Sequence, residues 1–151
     1  MKFEFSFETL LDHRRQLEDA ARREWNEAQA KVDEAQRALD EYYSQLDQAR
    51  ARVGTIEKSG GPQAGALVSI AEFISGQNIR IERHRLSMRE LVMDAEIKRE
   101  AMIEAAKETK TLQKLKEKKL EEFKQKKKKR ELKEVDDLIV TRFKPSEDKA
   151  G

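Results

Sequence analysis

A stripe of apolar residues at strictly alternating spacings of four and three runs through the first third of the chain. Its members are Ala28, Val32, Ala35, Leu39, Tyr42, Leu46, Ala49, Val53 and Ile56. A 3.5-residue repeat keeps one face of a helix turned toward a partner helix, so the pattern predicts a coiled coil rather than an ordinary surface helix. The stripe stops just before Ser59-Gly60-Gly61-Pro62, and a second, longer helical pattern follows. The chain therefore carries a partner for its own seam. The expected fold is all-α: an antiparallel two-helix coiled-coil hairpin with a longer, overhanging C-terminal helix.

Composition agrees with long helices whose outer faces are charged. Charged residues make up 41% of the chain and hydrophobic residues 37%, while 32 basic and 30 acidic residues nearly cancel. Disorder favours high net charge without periodicity, which is the opposite pattern. With no cysteine, neither a disulfide framework nor a thiolate metal site can form. No apolar run approaches the roughly 18 to 20 residues that a membrane span needs, and Met1-Lys2-Phe3-Glu4-Phe5 lacks a signal-peptide core. The expectation is a cytosolic protein forming one domain over residues 1–151.

Along the chain, Ser6 reads as the N-cap of the first helix, with Phe5 and Leu10 as a hydrophobic staple. That helix is expected over about residues 6–57. Acid-first pairs such as Glu18/Arg22, Asp19/Arg23, Glu27/Lys31 and Asp33/Arg37 support an exposed outer face. Toward its start the seam reads Leu10, Leu17, Ala21, Trp25, Ala28, which includes two successive spacings of four, as in a stutter. Trp25, the single tryptophan, reads as a large seam residue opposite small alanines. Residues 58–66 hold the adjacent glycines and Pro62 and predict a reversal. Ser69 and Glu72 read as a capping box for the second helix, expected over about 67–142 with a flexible tail at 143–151.

The second seam reads Leu67, Ile70, Ile74, Ile81, His84, Met88, Leu91, Ala95, Met102, Ala105, Thr109 and Leu112, interrupted by Gln77 and Lys98. Folding about residue 61 pairs residue i with approximately 122 − i, so Leu10 should meet Leu112. At 1.5 Å per residue the second helix is longer than the first by roughly 35 Å or more. Everything beyond about residue 113 should then project past its partner.

The projecting segment is chemically distinct. Residues 107–133 hold 13 basic and 5 acidic residues, whereas 1–58, 59–106 and 134–151 are each slightly acidic. Leu115, Leu120, Phe123, Leu132, Val135, Leu138, Ile139 and Phe143 punctuate the overhang. A solvated helix has little use for the last five of these, so the segment reads as one that meets a partner. Nucleic acid would use the same lysines through phosphate neutralisation, but aromatic interleaving is thin and glutamates interrupt the run. An anionic membrane is a third reading with a weak apolar face to support it. A protein partner with an acidic rim suits both the lysines and the leucines.

Nothing in the pattern suggests catalysis, a metal, a cofactor or a small-molecule substrate. A two-helix coiled coil offers no enclosed site with converging groups. His13 and His84 are far apart, Asp136 and Asp137 point in different directions on a helix, and no phosphate-binding glycine loop occurs.

Several short stretches together resemble the FliJ family of flagellar export proteins, which has a close structural counterpart in type III secretion. Near the start these are Phe3-x-Phe5, Leu10-Leu11-x-x-Arg14-Arg15-x-Leu17-Glu18 and Ala20-Ala21-Arg22-Arg23. Phe73-Ile74 and Ile81-x-x-His84-Arg85-Leu86 follow in the middle. Near the end the lysine-rich helix runs into Glu134-Val135-Asp136-Asp137 and Arg142-Phe143.

The resemblance implies a non-catalytic central stalk, similar to that of rotary ATPases, whose terminal end enters the pore of the hexameric flagellar export ATPase. It also implies contact with the cytosolic domain of the large membrane export-gate subunit and with export chaperones, at the cytoplasmic face of the inner membrane. On this chain the ATPase-binding residues would be Leu10, Leu11, Arg14, Arg15, Lys118, Lys119, Phe123, Lys127, Lys128, Arg130, Leu132, Val135 and Leu138. The gate-binding residues would be Phe73 and His84, while Gln77 and Arg80 depart from the family's usual apolar residues. The alternatives are a basic coiled-coil nucleic-acid-binding protein and a structural piece of a larger coiled-coil assembly.

Overall fold

In a computed structural model, described over residues 2–60 and 64–143, two helices run antiparallel: α1 (Glu8–Ser59) and α2 (Ala64–Phe143). The fold is the expected all-α hairpin of two long helices packed against each other. Among the described residues there is no strand. Contacts group the chain into two units. One combines Met1–Leu17 with Ala105–Gly151, and the other is Glu18–Glu104.

The helix ends differ from expectation in instructive ways. The Glu8 N–H donates to the Phe5 carbonyl at 3.1 Å, and the Leu11 N–H donates to the Phe7 carbonyl at 2.8 Å. Ser6 and Phe7 are thus the middle of a turn, and Phe7, not Ser6, accepts the first helical bond. Phe5 packs edge-on against Phe7, with centroids 5.9 Å apart, while Leu10 remains well exposed, so the expected staple does not form. At the other end of α1, Gly60 takes φ 64°, the left-handed conformation that commonly ends a helix. Ser59 Oγ donates to the Ile56 carbonyl at 2.8 Å. Gly61 and Pro62 of the predicted reversal, and residues 144–151 of the predicted tail, lie outside the described residues. Because α2 begins at Ala64, Ser69 and Glu72 lie inside it and cannot form a capping box.

In the Glu18–Glu104 unit, the regular stripe packs as its period demands. Ala28, Ala35, Leu39, Leu46 and Ala49 of α1 and Gln77, Ile81 and Ala95 of α2 are buried. Leu39, Leu46 and Ile81 form a cluster flanked by Tyr42, Ile74 and Met88. Lys98 Nζ lies 3.7 Å from Glu24 Oε2, on the register expected for folding about residue 61. Alternating alanines with large residues lets the helices approach closely.

Gln77 sits in this apolar seam at 0% exposure. Its Nε2 donates to the Tyr42 carbonyl at 2.9 Å and to Gln45 Oε1 at 3.0 Å. Arg80 Nη1 donates to its Oε1 at 3.0 Å. Both ends of the amide are satisfied, which is the condition for tolerating a buried polar group.

The seam of α1 continues toward its start without a stutter. The inward positions are Leu11, Arg14, Glu18, Ala21, Trp25 and Ala28, whose spacings keep alternating between three and four. Leu11 is fully buried, whereas Leu10 and Leu17 are exposed at 39% and 43%. Arg14 and Glu18 hold seam positions with their charged groups paired, Arg14 with Glu108 of α2 and Glu18 with Arg22 of its own helix. Trp25 lies on the seam as expected, half-buried beside Val32 and Ala95.

Candidate protein-docking surface

The unit built from both ends of the chain brings the N-terminal segment against the lysine-rich part of α2. Arg14 Nη1 meets Glu108 Oε2 at 2.6 Å, and Arg15 Nη2 donates to Gln113 Oε1 at 2.7 Å. Lys116 Nζ meets Glu8 Oε2 at 2.8 Å. Residues 2–7, which are not helical, continue this cover, with the Phe3 and Phe123 rings tilted together at 5.6 Å. Lys116, Leu120 and Phe123 are consequently half-buried. The uncovered stretch of α2 therefore begins after Phe123, about ten residues later than helix length alone predicts, because a non-helical strap extends further per residue than a helix.

From residue 124 to residue 143 every position of α2 is exposed. Lys128, Leu132, Val135 and Ile139 stand at spacings of four, three and four, so they share one face. Phe143 lies one turn beyond Ile139 on the same side. Leu132, Val135, Leu138, Ile139 and Phe143 are between 47% and 79% exposed. An isolated helix gains little by displaying such residues to water. Lys124, Lys126, Lys127, Lys129 and Arg130 surround the approach to this stripe, forming a basic collar next to an apolar face.

The residues singled out from sequence divide by position. Leu10, Lys118, Lys127, Lys128, Arg130, Leu132, Val135 and Leu138 are exposed on the surface. Lys119 is exposed and its Nζ lies 3.6 Å from Glu122 Oε2. Arg14 and Arg15 face α2 through the contacts above. Leu11 is not a surface residue: complete burial makes it a support for the strap and seam. Phe123 is likewise held by Phe3, which removes the one aromatic beside the lysine run that could stack on a base. Ile139 and Phe143 were not among the predicted contacts, yet the four-three spacing places them with Leu132 and Val135.

In the other unit, Phe73 and His84 do not occupy equivalent positions. Phe73 is exposed at 39% beside Ala49 and Ile70. His84 turns inward: its Nε2 lies 2.7 Å from the Ala35 carbonyl, and its ring meets Tyr42 edge-on at 5.4 Å. A carbonyl can only accept, so Nε2 carries the proton. That nitrogen is occupied within the hairpin, and His84 orders the seam rather than presenting this atom to a partner.

Among the described residues, no three His, Asp or Glu side chains converge as a metal site, and no helix is long and apolar enough to cross a membrane. No curated protein and no solved structure matches the chain. A family model described as flagellar FliJ protein matches residues 2–147. That match spans nearly the whole chain, including both helices, the strap and the exposed end of α2. The chain belongs to the FliJ family and is a component of the flagellar export apparatus.

Proposed function

We propose that the chain is the non-catalytic central stalk of the hexameric flagellar export ATPase and promotes that enzyme's assembly and activity. The observation that carries the reading is the exposed end of α2, where a basic collar adjoins the apolar face of Leu132, Val135, Ile139 and Phe143. Lysines on that end would face carboxylates lining an axial pore, setting orientation and speeding association. The apolar face would supply contact area. A two-helix stalk lacks sixfold symmetry, so it touches six subunits unequally and biases their nucleotide states. In this reading the chain works as one coiled-coil domain at the cytoplasmic face of the inner membrane.

The same reading gives the exposed Phe73 region to the cytosolic domain of the large export-gate subunit, with His84 holding the surface from within. Export chaperones are further partners. Co-purification with the export ATPase, combined with a hydrolysis assay, tests the reading. Binding with increased ATP turnover is expected. Failure to bind, or binding to duplex or single-stranded nucleic acid with a salt slope of several charges instead, would exclude it.

A further inference from the structure

The Glu18–Glu104 unit carries a second apolar stripe that the hairpin does not use. Ile79, Leu86 and Met93 recur every seven residues along α2, and Ile97 follows four residues later. At 3.6 residues per turn this stripe lies roughly opposite the inner seam of Ile81, His84, Met88, Leu91 and Ala95. All four members are at least half exposed, Met93 and Ile97 at 66% and 61%. At Met93 the stripe adjoins an open apolar groove of Leu39, Met88 and Val92, edged by Arg85 and Arg89.

Charge along this stretch of α2 changes sign halfway. Residues 80–89 hold Arg80, Arg83, Arg85 and Arg89 against Glu82 alone. Residues 90–100 hold Glu90, Asp94, Glu96 and Glu100 against Lys98 and Arg99. A surface that is basic at one end and acidic at the other complements its own reverse. A uniformly charged partner, such as a nucleic acid or an anionic membrane, would meet repulsion over half of it.

We propose that this stripe docks a second copy of the chain, with the two α2 helices antiparallel about a two-fold axis near residues 91 and 92. Setting Leu86 of each copy opposite Ile97 of the other brings Arg83 opposite Glu100. The same register brings Glu90 beside Met93 at the axis and Arg89 near Glu96. These residues are all exposed, although Glu96 already accepts from Arg99 of its own helix at 2.9 Å. A parallel alignment would instead set Arg83 on Arg83 and Glu90 on Glu90. An isologous contact of this kind closes at two copies. It is independent of the stalk reading, because it uses neither the strap nor residues 124–143.

Sedimentation equilibrium of the full chain, from micromolar to millimolar concentration, tests the proposal. A monomer–dimer equilibrium is expected. Arg83→Glu should weaken it by about tenfold or more through like charges across the contact, and adding Glu100→Arg should restore it, with helicity unchanged throughout. Because the chain has no cysteine, Glu90→Cys mixed with Met93→Cys should give the mixed disulfide in preference to either self-disulfide. A single-chain mass at every concentration would leave the stripe to another protein and overturn the proposal. So would a dimer indifferent to Arg83→Glu, or self-disulfides dominating the mixture.

Discussion

His84 holds Ala35 across the hairpin: its Nε2–H donates to the backbone carbonyl at 2.7 Å while the ring stands edge-on to Tyr42. The residue that spacing put on the inner seam, and that the family resemblance gave to the export gate, is thus a cross-helix tie. Replacing it with alanine removes one hydrogen bond and one aromatic contact. His84→Ala should lower unfolding stability by about 1 to 3 kcal/mol, read as a shift in the urea midpoint. A stability unchanged from the parent chain would mean that the tie is not made in solution.

Gln77 calls for the opposite sign. A satisfied polar residue in a coiled-coil seam fixes alignment at a cost in stability. Gln77→Leu should raise the urea midpoint, while spin-label distances between α1 and α2 should broaden as other alignments become accessible. A lower midpoint with unchanged distances would instead make Gln77 a stabilising residue.

The strap should be weakly held. Phe3 contributes one ring contact to Phe123, so Phe3→Ala should cost no more than about 1.5 kcal/mol. Its main effect should be local, with faster amide hydrogen exchange around Leu120 and Phe123 and little change elsewhere. Uniformly faster exchange along α2 would show that the strap supports the whole helix.

Arg14 and Glu108 make the shortest cross-helix ion pair among those described, yet their side chains are 35% and 54% exposed. Solvent screening limits such a pair, so a double-mutant cycle with alanine at both positions should return a coupling below about 1 kcal/mol that shrinks further as salt rises. A coupling of several kcal/mol would place the pair in a much drier setting than this exposure indicates.

The regular part of the fold was readable because its period is carried by apolar residues. The stripe from Ala28 to Ile56 and the second seam, including the polar positions Gln77 and Lys98, lie inward as their spacing required. Near the start of α1 the same period passes through Arg14 and Glu18. Apolarity there favoured Leu10 and Leu17 over the true seam residue Leu11, and produced a stutter the helix does not have. Extending the alternation of three and four backward from Ala28, whatever the residue type, would have found it. Residues 2–7 have no helical period at all, so their cover over Leu120 and Phe123 left no pattern to read. The exposure of the lysines and leucines at the end of α2 was legible from the excess length of the second helix. The spacing also put His84 on the inner seam, but its bond to the Ala35 carbonyl was not legible, because a hydrogen bond to a backbone carbonyl leaves no mark on the partner's side chain.

Stimulation of the export ATPase by the chain tests the stalk reading most directly. Lys127, Lys128 and Arg130 are exposed on the uncovered end of α2, away from the buried seam. Reversing all three to glutamate should sharply reduce the increase in ATP turnover while helicity and thermal unfolding stay as in the parent chain. Full stimulation by the reversed variant, with helicity unchanged, would contradict the account.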